Sequence, residues 1–146
     1  MKKVFLFLFI SFLSLANPYA DQAKRVTIYR DQWGIPHIYG KTDADAVFGM
    51  LYAQCEDDFN RVERNYIWAI GRLAEVEGEK ALYSDVRANL YMTQEEAILN
   101  YDNSPKWLQE LCIAFADGIN FYLKNHPRLP ARIIAEGIVF IPLFFL

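Results

Sequence analysis

From Val47 onward the apolar residues fall at Phe48, Leu51, Tyr52, Cys55, Phe59, Val62, Tyr66, Ala69, Ile70 and Leu73. Spacings of three and four lay these side chains on one continuous helical face. Such a face marks one long amphipathic helix. Thr42 offers a hydroxyl at the N-cap, and Asp43 and Asp45 put acids in the first turn, where they oppose the positive helix end. Gly71 lies inside the stretch, and Gly78 beyond it is read as the stop. Asp57 and Arg61 are read as an i,i+4 pair on the polar side.

The second element is legible near the end. Ser104-Pro105 reads as a hydroxyl cap followed by proline at the first helical position. Leu108, Leu111, Phe115, Ile119 and Tyr122 then mark an apolar stripe, and Lys124 with His126-Pro127 closes the helix. Between the two, Thr93 with Glu96 resembles a capping box, and residues 80–91 read as a weaker helix with Ser84 near its cap. Upstream, Val26-Thr27-Ile28-Tyr29-Arg30 alternates like a half-buried strand. Asp31-Gln32-Trp33-Gly34 supplies turn residues, and Ile35 to Gly40 resumes an extended pattern. Pro36 makes this second strand an edge, or delays its start. The fold class expected is α+β, mainly helical with an N-terminal β-hairpin.

Both ends of the 146-residue chain differ from its middle. Lys2 and Lys3 precede an apolar run from Val4 to Leu15, and Ser14-Leu15-Ala16 offers a peptidase site. That run is shorter than the roughly 20 residues a membrane-spanning helix needs. Residues 1–16 are therefore read as a signal peptide, with cleavage as late as residue 20 as the alternative, which implies an exported, periplasmic or secreted protein. Residues 131–146 end in an uncharged apolar stretch, Ile138 to Leu146, interrupted by Pro142. They are expected to be an aberrant tail, from truncation or a frameshift. Residues 17–130 form the domain between.

The chemistry is sparse. A formal charge of −3 supplies no basic footprint for nucleic acid. Cys55 and Cys112 are too few for a disulfide scaffold; pairing stays open, but helical positions favour buried thiols. Ser84 and Ser104 are explained as caps, and no Gly-x-Ser-x-Gly elbow occurs. His37 reads as a structural hydrogen-bonder and His126 as part of a helix end. The carboxylates of Glu56-Asp57-Asp58 point about 100° apart on a helix and cannot converge on one cation, so ion pairing is favoured.

Four ordered blocks supply what the chemistry does not. Val26 to Gly40 carries a strand, Arg-Asp, a glycine turn and Pro-His-Ile. Gly49-Met50-Leu51-Tyr52-Ala53-Gln54 with Glu56-Asp57-Asp58-Phe59 follows, then Gly71 to Gly78, then Ala116-Asp117-Gly118-Ile119-Asn120. In this order the string resembles the opening of the smaller chain of the penicillin acylase (penicillin amidase) family, in the N-terminal nucleophile hydrolase superfamily. The resemblance implies a fragment of a four-layer αββα fold and an exported precursor that cuts itself in two. It implies hydrolysis of carboxylic amides such as penicillins, acyl-homoserine lactones or related N-acyl substrates. In such a fold the nucleophile is the N-terminal residue of the larger chain, and its own α-amine, with a pKa of about 7.7–8.0, is the base. No counterpart of that residue is found here. No catalytic, cofactor-binding or metal residue is therefore assigned: His37, Glu56, Asp57 and Arg72 match motif positions as scaffold. No cofactor is implied for this chain, and calcium is left to a full-length relative. The partners implied are the C-terminal nucleophile chain and, through it, an N-acyl small molecule. Nucleic acid and a stable membrane span are not among them. The chain alone is expected to be inactive. The competing reading is a stand-alone exported binding or scaffold domain.

Overall fold

The computed structural model describes residues 19–129. The signal-peptide reading of residues 1–16 and the aberrant-tail reading of residues 131–146 lie outside the described residues. A short helix, α1 (Ala20–Ala23), leads into the hairpin β1 (Val26–Arg30) and β2 (Pro36–Gly40). Five helices follow: α2 (Asp43–Ala69), α3 (Leu73–Glu77), α4 (Leu82–Tyr91), α5 (Gln94–Asp102) and α6 (Lys106–Asn125). One 3-10 turn, Glu79–Ala81, joins α3 to α4. The expected hairpin-plus-helices architecture is observed.

The hairpin is antiparallel, with Ile28 opposite Ile38 and Arg30 opposite Pro36. Asp31 organises the turn: its Oδ1 accepts from the Trp33 and Ile35 amides at 2.9 and 3.0 Å, and Gly34 supplies the positive φ of 80°. Because the Asp31 amide bonds to the Ile35 carbonyl at 3.2 Å, the next pair, Arg30 and Pro36, falls in the non-hydrogen-bonded register. Strand β2 thus begins on Pro36 itself and loses no ladder bond. The inner face of the hairpin rests on α2 at Gly49, where an added Cβ would come within 2.8 Å of Ile38 Cγ2.

Helix α2 starts where expected, with Thr42 Oγ1 accepting from the Asp45 amide at 3.1 Å. It is not continuous. Asp58 leaves helical geometry (φ −159°, ψ 79°), and its Oδ1 accepts from the Arg61 amide at 3.1 Å. Asp58 therefore ends one helical segment and caps the next. The apolar spacing passes through the break in phase, so periodicity cannot reveal it. Asp58→Ala is expected to cost about 1 kcal/mol and Asp58→Asn much less, read from urea midpoints; equal losses would count against a capping role.

The apolar face also stops earlier than expected. The Arg72 amide bonds to the Ile67 carbonyl and the Gly71 amide to Trp68, both at 3.1 Å, with Gly71 at φ 67°. This Schellman closure ends α2 before Gly71, and Gly78 (φ 82°) instead ends the separate helix α3.

The core lies where α2 meets α6. Leu51, Cys55, Phe59, Tyr66 and Ile67 pack with Ile119 and Tyr122. Gly118 brings the two backbones together: a Cβ there would meet the Phe48 carbonyl oxygen at 2.5 Å. The capping box of α5 is present, with the Thr93 amide donating to Glu96 Oε2 at 2.9 Å and the Glu96 amide to Thr93 Oγ1 at 3.3 Å. At α6 the N-cap is Pro105, and the Ser104 hydroxyl donates back to the Tyr101 carbonyl at 2.7 Å. Ser104 finishes the preceding turn instead of opening the helix.

Candidate functional site

A cleft of about 410 Å³ lies where the break in α2 faces α6. Leu51, Val62, Phe115 and Ile119 form its apolar part, and Gln54, Asp57, Asp58, Arg61 and Asn65 its polar part. Its charges are internally matched. Arg30 reaches from β1 to Asp57 at 2.8 Å and to Glu56 at 3.2 Å. Arg61 Nε lies 3.2 Å from Asp58 Oδ2, so the expected Asp57–Arg61 pair is replaced by two others. Ion pairing of Glu56 and Asp57 is as read from the sequence, but the partner stands on a strand 26 residues away.

Each remaining candidate is tied to a structural partner. His37 Nε2 lies 3.2 Å from Asp31 Oδ2. Burial pushes the Asp31 carboxyl up, but the hydrogen bonds from His37 and from the Ile35 and Trp33 amides outweigh it and hold the group below its ordinary value. Arg72 Nε donates to Glu75 Oε1 at 2.7 Å and keeps that carboxyl low. Ser84 lies inside α4 and not at its cap; its hydroxyl oxygen accepts from Trp68 Nε1 at 2.7 Å. His126 caps α6, stacks on Tyr122 with ring centroids 4.2 Å apart, and sets Nδ1 2.8 Å from the Tyr122 carbonyl oxygen.

The thiols are unpaired. Burial pushes Cys55 up to about 12 and raises Cys112 as well. Since the thiolate is the reactive form, neither suits a nucleophile at neutral pH. Alkylation by iodoacetamide at pH 8, followed by mass spectrometry, should label the half-buried Cys112 first and Cys55 only after unfolding. Rapid labelling of Cys55 in folded protein would overturn this assignment.

Three acids are buried, Asp45, Glu63 and Asp85, and the sequence does not mark any of them as such. Asp45, fully buried, is gripped by the Arg25 guanidinium, with Nη2 donating to Oδ1 at 2.8 Å and Nε to Oδ2 at 3.0 Å and to Oδ1 at 3.2 Å. Asp85 reaches from α4 to accept from the Leu73 and Ala74 amides at 2.9 and 2.6 Å, closing the start of α3. Asp85→Ala strips both donors of their partner and is expected to cost about 1–3 kcal/mol, measurable by urea titration; a change within ±0.5 kcal/mol would refute that role. Glu63 lies inside α2 with no exposed surface. Only Asp45 carried a signal, as a first-turn acid; Arg25 and the Asp85 contact depend on tertiary placement. Among the described residues, no group of three His, Cys, Asp or Glu side chains is placed to hold a metal ion. No described helix is long and apolar enough to cross a membrane.

Each of the motif residues His37, Glu56, Asp57 and Arg72 has a polar partner within the described residues. The backbone of the chain superimposes on thermostable penicillin G acylase from Alcaligenes faecalis with a TM-score of 0.65 at 22% identity, covering 80% of this chain and 64% of that one. The chain thus shares the α+β fold of the matching part of that acylase, mainly helical with a two-stranded hairpin. The family profile described as penicillin amidase matches residues 25–142. An acyl-homoserine lactone acylase, QuiP, from Pseudomonas aeruginosa is 31% identical over 122 residues, 83% of this chain and 14% of that protein. Penicillin acylase 2 proenzyme from Pseudomonas sp. strain SE83 is 27% identical over 105 residues, 72% of this chain and 14% of the relative. The chain belongs to the penicillin amidase family. It spans about one seventh of the length of these curated relatives.

Proposed function

We propose that the chain is the scaffold portion of an exported acylase that hydrolyses the amide bond of N-acyl substrates such as acyl-homoserine lactones or penicillins. The observation that carries this reading is the 31% identity to an acyl-homoserine lactone acylase along 83% of the chain. Catalysis then requires a C-terminal polypeptide bearing the nucleophile, its α-amine as base and the oxyanion donors. Thr42, Ser84, Thr93 and Ser104 support this division, because each hydroxyl serves a cap, a turn or a helix-to-helix bond. The chain contributes the hairpin and the α2–α6 pair on which that polypeptide assembles.

Purified alone, the chain should release no homoserine lactone or 6-aminopenicillanic acid from N-acyl substrates. Co-expressed with the C-terminal portion of a family member, it should form an active complex. Turnover by the isolated chain would sink the division of labour, and failure to associate would favour a stand-alone scaffold. N-terminal sequencing of periplasmic protein tests export, with Asn17 or Asp21 as the expected first residue.

A further inference from the structure

Helix α4 is turned the wrong way round for a surface helix. Its one buried residue is Asp85, and the side chains that hold it to the domain are polar: Ser84 to Trp68, Asp85 to the start of α3, and Asn89 over Gly71. Its apolar side chains point elsewhere. Leu82, Val86 and Leu90 repeat at i,i+4 with Tyr83 beside them, all within about 100° around the axis. Tyr83 is 86% exposed, Leu90 80%, and Leu82 and Val86 half. A helix of ten residues draws its stability from burying such a face, so the ridge is built to be covered. Arg87 stands at its edge. Arg25, Arg30, Arg61, Arg64 and Arg72 each have a carboxylate, whereas Arg87 has no ion pair among the described residues. Whatever covers the ridge desolvates this guanidinium and must bring an anion to it.

We propose that α4 docks into the C-terminal polypeptide of the acylase, in an apolar groove whose rim presents a carboxylate to Arg87. This rests on the reading of the chain as a scaffold portion, and names where its partner binds. The match covers 14% of the length of the Pseudomonas aeruginosa acyl-homoserine lactone acylase, so such a relative has most of its polypeptide left to form the groove. Two other occupants fit worse. A second copy packed ridge to ridge would bring two Arg87 side chains together, while the one carboxylate of α4, Asp85, is turned inward. An anionic bilayer surface would meet exposed Glu79 and Glu95, just before and after α4.

The test is to co-express the full chain, carrying photoactivatable benzoyl-phenylalanine at Leu90, with the C-terminal portion of that Pseudomonas aeruginosa acylase. Irradiation should cross-link Leu90 to the C-terminal polypeptide. Arg87→Glu and Leu90→Glu should each weaken association about tenfold, equivalent to roughly 1.4 kcal/mol, and Arg87→Lys much less. All three side chains are exposed, so the melting temperature of the isolated chain should not move; should Leu90→Glu not fold, the two Arg87 variants carry the test. An active complex with no cross-link from Leu90, or one indifferent to both glutamate variants, overturns the docking surface and leaves the scaffold reading standing. No complex at all overturns both. Cross-links between copies of the chain, or sedimentation with phosphatidylglycerol vesicles that Leu90→Glu abolishes, would give the ridge a different occupant and overturn the proposal.

Discussion

Gly118→Val should destabilise the chain by about 3 kcal/mol. A Cβ at this position meets the Phe48 carbonyl oxygen at 2.5 Å and Leu51 Cβ at 3.0 Å. The first of these is backbone, which cannot rotate away, so α2 and α6 must separate or shift along each other. Either movement opens the interface that holds Leu51, Ile119 and Tyr122. Small domains have about 5–15 kcal/mol in all, so the variant should lose much of its margin. Urea denaturation of the variant and the parent chain gives the difference directly. Gly118→Ala carries the same Cβ and should also be destabilised, though less. A valine variant within 0.5 kcal/mol of the parent would show that the helices do not approach as described.

Arg25→Ala should produce the second large effect, a fall in melting temperature on the order of 10 °C. Asp45 has no exposed surface, so its carboxylate cannot exchange the lost guanidinium for water. Arg25 is 42% exposed at its side chain, so removal of Asp45 leaves a cation that rehydrates easily. Arg25→Ala should therefore be worse than Asp45→Asn, and combining the two should recover part of the loss. If the single variants lose equally, the asymmetry of burial is not what governs the pair. The pH dependence has a definite sign. The Arg25 guanidinium holds the Asp45 carboxyl below its ordinary value, against the upward push of burial. A depressed folded value stabilises at all pH above the unfolded value of about 3.9, and the contribution disappears as pH falls further through the folded value. The parent chain should lose stability faster than Arg25→Ala between about pH 4 and pH 2.

What the sequence disclosed and what it hid divide along physical lines. The hairpin, the Thr42 cap and the Thr93–Glu96 box depend on neighbours within a few residues, and alternation or cap chemistry reports them. The break at Asp58 was hidden because Cys55, Phe59 and Val62 keep helical spacing across it. Gly71 does not read as the stop because the apolar pattern continues to Leu73, although that residue belongs to a new helix. Ser104 imitates a cap beside Pro105, yet its hydroxyl turns back to Tyr101. Arg30 with Glu56 and Asp57, Arg25 with Asp45, and Asp85 with α3 join residues distant in sequence, which periodicity cannot pair. Of the block residues, Arg30 in the first meets Glu56 and Asp57 in the second once the chain is folded, whereas Arg72 pairs only locally with Glu75.

The contact from Asp85 to the start of α3 also has a kinetic meaning. A five-residue helix cannot sustain itself in water, where isolated helices need roughly 12–15 residues. Helix α3 can persist only while α4 holds its first amides. The two should open and close as a single cooperative unit, so the Leu73 and Ala74 amides should exchange with solvent deuterium at the rate of α4, not at that of the adjoining end of α2.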